Sequence, residues 1–215
     1  MKNAIYLGFA LFLFIGCKQK LERQSIEKEM PVKKKIAKAH GFEHWKNVLE
    51  ITFNFNGKRH WTWSPKTNDV TLITASDTIN YNRKSVDSLS LNADRAFIND
   101  KFWLLIPFQL VWDKSASISE PIKEIAPIGK TELNKITLSY SNEGGYTPGD
   151  AYDIYFGDDY LIKEWIFRRG NQKEPSLTNT FEHYQDFNGI KIALDHKNPQ
   201  NNWSLGFTDV HVVFE

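Results

Sequence analysis

His40-Gly41-Phe42-Glu43-His44 is the one stretch of this chain whose spacing could build a metal-dependent hydrolase. On a single helical face, His40 and His44 would hold Zn²⁺ and Glu43 would act as base, with a further carboxylate completing the ligand set. Gly41 lies inside the segment and costs a helix ~1 kcal/mol against Ala. No second motif accompanies the first. The favoured reading makes these residues capping or packing groups, with metal-dependent hydrolysis by His40, Glu43 and His44 as a remote alternative. His183, His196 and His211 fall in predicted strands, where isolated histidines are usually hydrogen-bonded. Asp158-Asp159 lacks the spaced ligands of a calcium loop. The chain has no G-x-S-x-G, G-x-G-x-x-G or P-loop. No catalysis, cofactor or metal is expected.

Cys17 is the single cysteine of 215 residues, so no internal disulfide can form. Before it stand a short basic start, Met1-Lys2-Asn3, and an apolar run from Ala4 to Ile15, too short to span a ~30 Å hydrocarbon core. Gly16 supplies the small residue before a cut. Phe14-Ile15-Gly16-Cys17 reads as a lipobox, with residues 1–16 as the signal peptide and Cys17 as the acylated N-terminus of the mature chain. Two or three acyl chains, at ~0.8 kcal/mol per buried CH₂, anchor stably where one is marginal. Residues 18–35 hold seven basic and three acidic residues, whereas residues 36–215 hold nineteen and twenty-three. Residues 17–35 therefore read as a lipidated basic tether, and residues 36–215 as one domain. Net charge of +1 argues against a nucleic-acid partner.

Aromatic residues are the other candidates, with seven Trp and fifteen Phe. Trp61, Trp63, Trp103, Trp165 and Trp203 either fill a core or line an apolar pocket. The run Phe102–Phe108 is apolar nearly all round its helix and needs cover on several sides, which makes it a candidate plug or lid. Trp103, Leu104, Phe108 and Trp165 form the candidate cavity set.

The elements that must hold these residues are mostly strands. A helix is expected from Pro31 to about Val48. An alternation of Leu49, Ile51, Phe53 and Phe55 opens a meander continued by 60–63, 70–74 and 78–82. A second helix, capped by Asn92 or Asp94, should run from Ala93 to about Leu105 and stop at Pro107, with 108–112 extended. Strands are then expected at 135–141, 151–156, 160–168, 177–184, 190–196 and 207–214. Asn188-Gly189 has the form of a type I′ hairpin turn. In 160–168, Leu161, Trp165 and Phe167 should face one way, and Tyr160, Ile162 and Ile166 the other. About ten antiparallel strands with two helices imply an α+β fold, mostly antiparallel β, in which a curved sheet wraps a helix.

Two stretches carry a resemblance. Phe102-Trp103-Leu104-Leu105-Ile106-Pro107-Phe108-Gln109-Leu110 is one. Gly145-Tyr146-Thr147-Pro148-Gly149-Asp150-Ala151-Tyr152, with the strand 153–156 after it, is the other. With Ala39-His40-Gly41 and Trp45 they resemble an uncharacterised family of bacterial lipoproteins, similar in pattern to the lipoprotein-localisation-factor (LolA/LolB-like) superfamily. The resemblance covers most of 36–213. It implies an incomplete, strongly curved β-barrel around an apolar cavity, lidded by helices, with acyl chains as ligands. It supplies no catalytic residues. The expectation is a monomeric lipoprotein of a Gram-negative cell envelope, at the outer membrane, binding an acyl chain or other apolar ligand without catalysis. The alternative is a protein–protein interaction module with a filled core.

Overall fold

The computed structural model describes residues 29–143 and 147–215. Cys17, the expected signal peptide, the expected tether up to residue 28 and the Gly144-Gly145-Tyr146 part of the second motif lie outside the described residues.

The first strands follow the alternation of their sequence. β1 (Val48–Phe55), β2 (Arg59–Ser64), β3 (Asp69–Ile73) and β4 (Thr78–Asn82) form an antiparallel meander. Phe53, Trp61, Trp63, Val70 and Leu72 face inward. A register shift against the last strand, between Val48 and Glu50, places Val48 in the core and leaves Leu49 39% exposed. Leu49 was expected inside; the bulge breaks the period of two at that point.

The N-terminal helix is shorter than expected. α1 (Val32–Ala39) ends at His40, because Gly41 takes the left-handed conformation at φ 87°. A 3₁₀ segment, Phe42–Asn47, follows. A Cβ on Gly41 would lie 1.8 Å from the Gly189 carbonyl oxygen, so the close approach requires glycine as much as φ does.

α2 (Leu91–Trp112) runs through the middle of the molecule. Its N-cap is Ser90, whose hydroxyl bonds Asp87, and Asp94 pairs with Arg83 at 2.7 Å. Pro107 does not stop it. The backbone kinks at Leu105 (φ −124°, ψ 29°) and the helix resumes, so residues 108–112 are helical rather than extended. Proline removes one hydrogen bond and displaces the carbonyl four residues back. Ile106, Phe108 and Leu110 are at most 1% exposed, and burying each is worth ~1.5–3 kcal/mol, enough to hold the last turns in place.

The second half adds β5 (Ser117–Ile118), β6 (Ile122–Ile125), β7 (Glu132–Ser139), β8 (Ala151–Phe156), β9 (Ile162–Arg168), β10 (Leu177–Thr180), β11 (Glu182–Phe187), β12 (Ile190–Asn198) and β13 (Trp203–Phe214). That makes thirteen strands among the described residues, where about ten were expected. The short β5 and β6 are the ones missed, and the single strand expected at 177–184 is β10 and β11. Asn188 (φ 52°) and Gly189 (φ 92°) both have positive φ in the turn that pairs Phe187 with Ile190, as a type I′ turn requires. A bulge in β9 opposite Tyr155/Phe156 brings Ile162 and Trp165 into one core cluster, contrary to the expected alternation.

Two open antiparallel sheets result, in the orders β11-β12-β13-β1-β2-β3-β4 and β10-β9-β8-β7-β5, with β6 on β7. They meet where the chain passes from β10 to β11. There the Phe181 N–H still donates to Lys163 of the one sheet (2.7 Å), while Asn198 donates to the Thr178 carbonyl from the other (2.8 Å). The architecture is α+β, an incomplete curved barrel around α2. Phe97, Leu104 and Phe108 of α2 belong to the core beneath β1–β3, β12 and β13. Phe102, Ile106 and Leu110 belong to the core beneath β7–β9.

Candidate functional site

α2 fills the barrel interior, and open space lies beside it. A cleft of about 420 Å³ lies between the N-terminal half of α2 and the end of the second sheet. Its size suits a small-molecule site, for which ~300–1,000 Å³ is usual. Phe102 and Trp103 come from the helix, Tyr152 from β8, and Trp165 and Phe167 from β9. The rings contact one another in sequence: Phe102–Tyr152 at 4.9 Å, Tyr152–Trp165 at 5.1 Å, Trp103–Trp165 at 4.5 Å and Tyr152–Phe167 at 5.1 Å. Ile98 and Leu177 flank this floor. Arg95, Asp150 and Arg169 stand at its rim.

The floor is held from behind. The Trp165 indole N–H donates to Asn179, whose amide donates in turn to the Thr180 carbonyl at 2.9 Å. The Tyr152 hydroxyl donates to Thr147 at 3.3 Å, and burial pushes its pKa up to about 12, so it stays a neutral phenol. Trp103 is shared between the two halves of the molecule. Besides Trp165 it meets Trp203 of β13 at 5.8 Å and His196 of β12 at 5.3 Å.

Of the four expected cavity residues, two come together here, Trp103 and Trp165. Leu104 and Phe108 do not line this cleft. Each helical step turns about 100°, and both side chains face the first core, where Phe108 packs on Phe42 (5.3 Å), Trp45 (5.5 Å) and Trp112 (5.7 Å). Arg95, Tyr152 and Arg169 were missed. Tyr152 lay inside the second motif; the arginines had no local signal, being brought to one rim only by the fold.

The histidine–glutamate motif is not assembled as a helical face. His40 caps α1 with its side chain buried, its Nδ1 2.8 Å from the Ile36 carbonyl. Nδ1 must therefore carry the proton, and Nε2 accepts the Ile162 N–H (3.5 Å), while the Tyr184 hydroxyl 3.2 Å away donates to the Ile162 carbonyl (2.8 Å). Burial lowers its pKa to about 4. Beyond the left-handed Gly41, Glu43 is exposed and pairs with Lys38 at 3.7 Å, and His44 stacks its ring over Gly189. Among the described residues no three His, Cys, Asp or Glu side chains are grouped as a metal site would need.

Two buried charges have structural partners. Glu164 accepts the N–H groups of Ile128 and Gly129, both at 2.7 Å, and so closes the β6–β7 turn. Asp100 accepts from Arg59 (2.6 and 2.8 Å) and from the Trp61 indole (2.8 Å). Lys101 is also buried, its ammonium 5.5 Å from the Trp63 ring and 5.3 Å from that of Trp112, and burial lowers its pKa to about 7.

No family model matches the chain, and no curated protein matches it. Among solved structures the chain is similar to the crystal structure of a DUF1329 family protein from Desulfovibrio piger. The identity is 10% and the TM-score 0.42, over 85% of this chain and 93% of that one. No helix of the described residues is long and apolar enough to cross a membrane.

Proposed function

We propose that this chain is a lipid-anchored protein of a Gram-negative cell envelope, held at the outer membrane through Cys17, that binds an apolar ligand such as an acyl chain in the aromatic cleft without catalysis. The observation that carries the reading is the cleft itself: a trough of about 420 Å³ lined by five aromatic rings, of which Trp103 and Phe167 are half-buried and the other three buried, beside a helix that otherwise fills its barrel. Each CH₂ removed from water there contributes ~0.8 kcal/mol. The resemblance of the Phe102–Leu110 stretch to a bacterial lipoprotein family, itself similar in pattern to the lipoprotein-localisation factors, supports the same reading, as does the lipobox read at Cys17.

The test uses the chain beginning at Lys18, which retains every described residue. Native mass spectrometry and displacement of a fluorescent fatty acid are the readouts. Binding is expected with micromolar affinity, and Leu177→Glu, which sets a charge against a half-buried wall of the cleft, should abolish it while leaving the fold intact. Absence of co-purified lipid together with absence of fatty-acid binding would overturn the reading.

One observation favours a second reading, an interaction module acting through a sheet edge. β6 carries Ile122 and Ile125 at 53% and 56% exposure on a strand that, among the described residues, pairs on one side only, the arrangement used in strand addition. Double substitution to Lys would remove partner capture on that reading and leave ligand binding untouched.

A further inference from the structure

Five arginines fall within the described residues: Arg59, Arg83, Arg95, Arg168 and Arg169. Three hold carboxylates, Arg59 that of Asp100 (2.6 Å), Arg83 that of Asp94 (2.7 Å) and Arg168 that of Asp153 (2.9 Å). The other two, Arg95 and Arg169, have no carboxylate within ion-pairing distance among the described residues, and both lie at the rim of the aromatic cleft.

They reach it from separate elements. Arg95 stands on the second turn of α2, and Arg169 on the loop between β9 and β10. That loop is fixed in place. The Arg169 N–H donates to Ser176 Oγ at 3.0 Å, and the neighbouring Gly170 N–H donates to Asp150 Oδ1 at 2.8 Å. Asp150 is the carboxylate that lines the cleft, and it already accepts this backbone N–H, so its role is to hold the loop that presents Arg169. With two guanidiniums and one carboxylate the rim carries a net charge of +1. A forked guanidinium matches a carboxylate or phosphate geometrically, and the trough below matches an alkyl chain.

We propose that the cleft takes an anionic amphiphile, with one alkyl chain along the aromatic floor and a carboxylate or phosphate monoester head between Arg95 and Arg169. This rests on the apolar-ligand reading above and adds the head group. The affinity is then set by two separable parts, alkyl burial on the half-buried Trp103, Phe167 and Leu177 and charge pairing at the rim. The second part falls as salt rises, because both guanidiniums are solvent-exposed.

The experiment titrates the chain beginning at Lys18 with dodecanoate, dodecyl phosphate, dodecanol and dodecyltrimethylammonium, each below its micelle concentration, read by calorimetry and by tryptophan fluorescence. Both anions should bind at least about tenfold more tightly than dodecanol and more tightly still than the ammonium, with the advantage shrinking at high salt. An Arg95→Gln, Arg169→Gln double variant should bring the anions down to the affinity of dodecanol and leave dodecanol itself unchanged. A preference between dodecanoate and dodecyl phosphate separates a fatty acid from a phosphate-headed lipid. Equal affinity for dodecanol and dodecanoate, or an anion advantage surviving in the double variant, would overturn the head-group site while the apolar cleft stands. Acetate or inorganic phosphate binding as tightly as the amphiphiles would overturn the need for a chain. Failure of all four amphiphiles to bind would remove the underlying reading as well.

Discussion

Replacing Asp100 and replacing its partner Arg59 should have unequal costs, and the inequality follows from which of the two can reach water. The Asp100 carboxylate is fully buried and accepts Arg59 Nε and Nη2, Trp61 Nε1 and Asn99 Nδ2 at 2.6, 2.8, 2.8 and 2.9 Å. Arg59 is 30% exposed at its side chain, and its guanidinium lies 4.8 Å from the Phe55 ring. In Asp100→Ala the guanidinium can turn out to solvent, so no charge is stranded. The Trp61 indole, at 0% exposure, cannot follow. Its orphaned N–H costs ~1–3 kcal/mol, and with the lost pair the total should be about 3 kcal/mol. In Arg59→Met the carboxylate remains buried with two neutral donors, and an unpaired buried charge costs ~3–5 kcal/mol. The order expected is therefore Arg59→Met above Asp100→Ala, with an Arg59→Met, Asp100→Leu double variant costing less than Arg59→Met alone, because it strands no buried charge. Urea unfolding at pH 7, followed by tryptophan fluorescence with a constant m-value, measures all three. The reverse order, or losses below ~1 kcal/mol for both single variants, would refute the argument.

The buried histidines predict an acid slope. Desolvation lowers His40 and His196 to about 4, while the unfolded value is ~6.5. Between those pH values the unfolded chain binds the protons. Stability is thus complete above about pH 6.5 and declines toward pH 4, by on the order of 3 kcal/mol for each histidine. Urea midpoints across that range check it, and a slope unchanged in a variant lacking both histidines would assign the loss to other groups. Gly41→Ala should cost ~3 kcal/mol or more, since it meets both the left-handed backbone and the Gly189 carbonyl. Gly57→Ala, with φ +66° and nothing within 4 Å of the new Cβ, should cost only ~1–2 kcal/mol, and comparable losses would remove the contact argument. Finally, Cys17→Ala should abolish incorporation of an alkyne-labelled fatty acid into the chain and release it from the membrane fraction; persistent labelling would refute acylation at that thiol.

The first meander could be read directly, because alternation of Phe53, Trp61 and Leu72 with polar neighbours is a local property of two-faced strands. The hairpin at Asn188-Gly189 was equally local. Pro107 misled because its preference is local while the packing that overrides it is not: Phe108 and Leu110 are held helical by strands tens of residues away. The β9 bulge likewise could not be read from β9 alone, since it is defined by what stands opposite, Tyr155 and Phe156. The site divides the same way. Trp103 and Trp165 were visible as large apolar residues needing a use, but Leu104 looked the same in the sequence and only the helix rotation separates it from Trp103. Arg95 and Arg169 acquire meaning through each other, and nothing short of the fold puts them at one rim.

The pairing of β1 with β13 has a consequence for how the protein is made. Trp203 follows Val48 by 155 residues, so at ~5–20 residues per second the first strand is synthesised roughly 8–30 s before its neighbour begins to emerge. Through that interval one edge of β1 is bare, and the core that needs Leu205, Phe207 and Val210 lacks them. The first sheet cannot be completed until the residues of β13 are free. On the proposal of an exported chain, this strand order would delay folding until the whole domain has been synthesised.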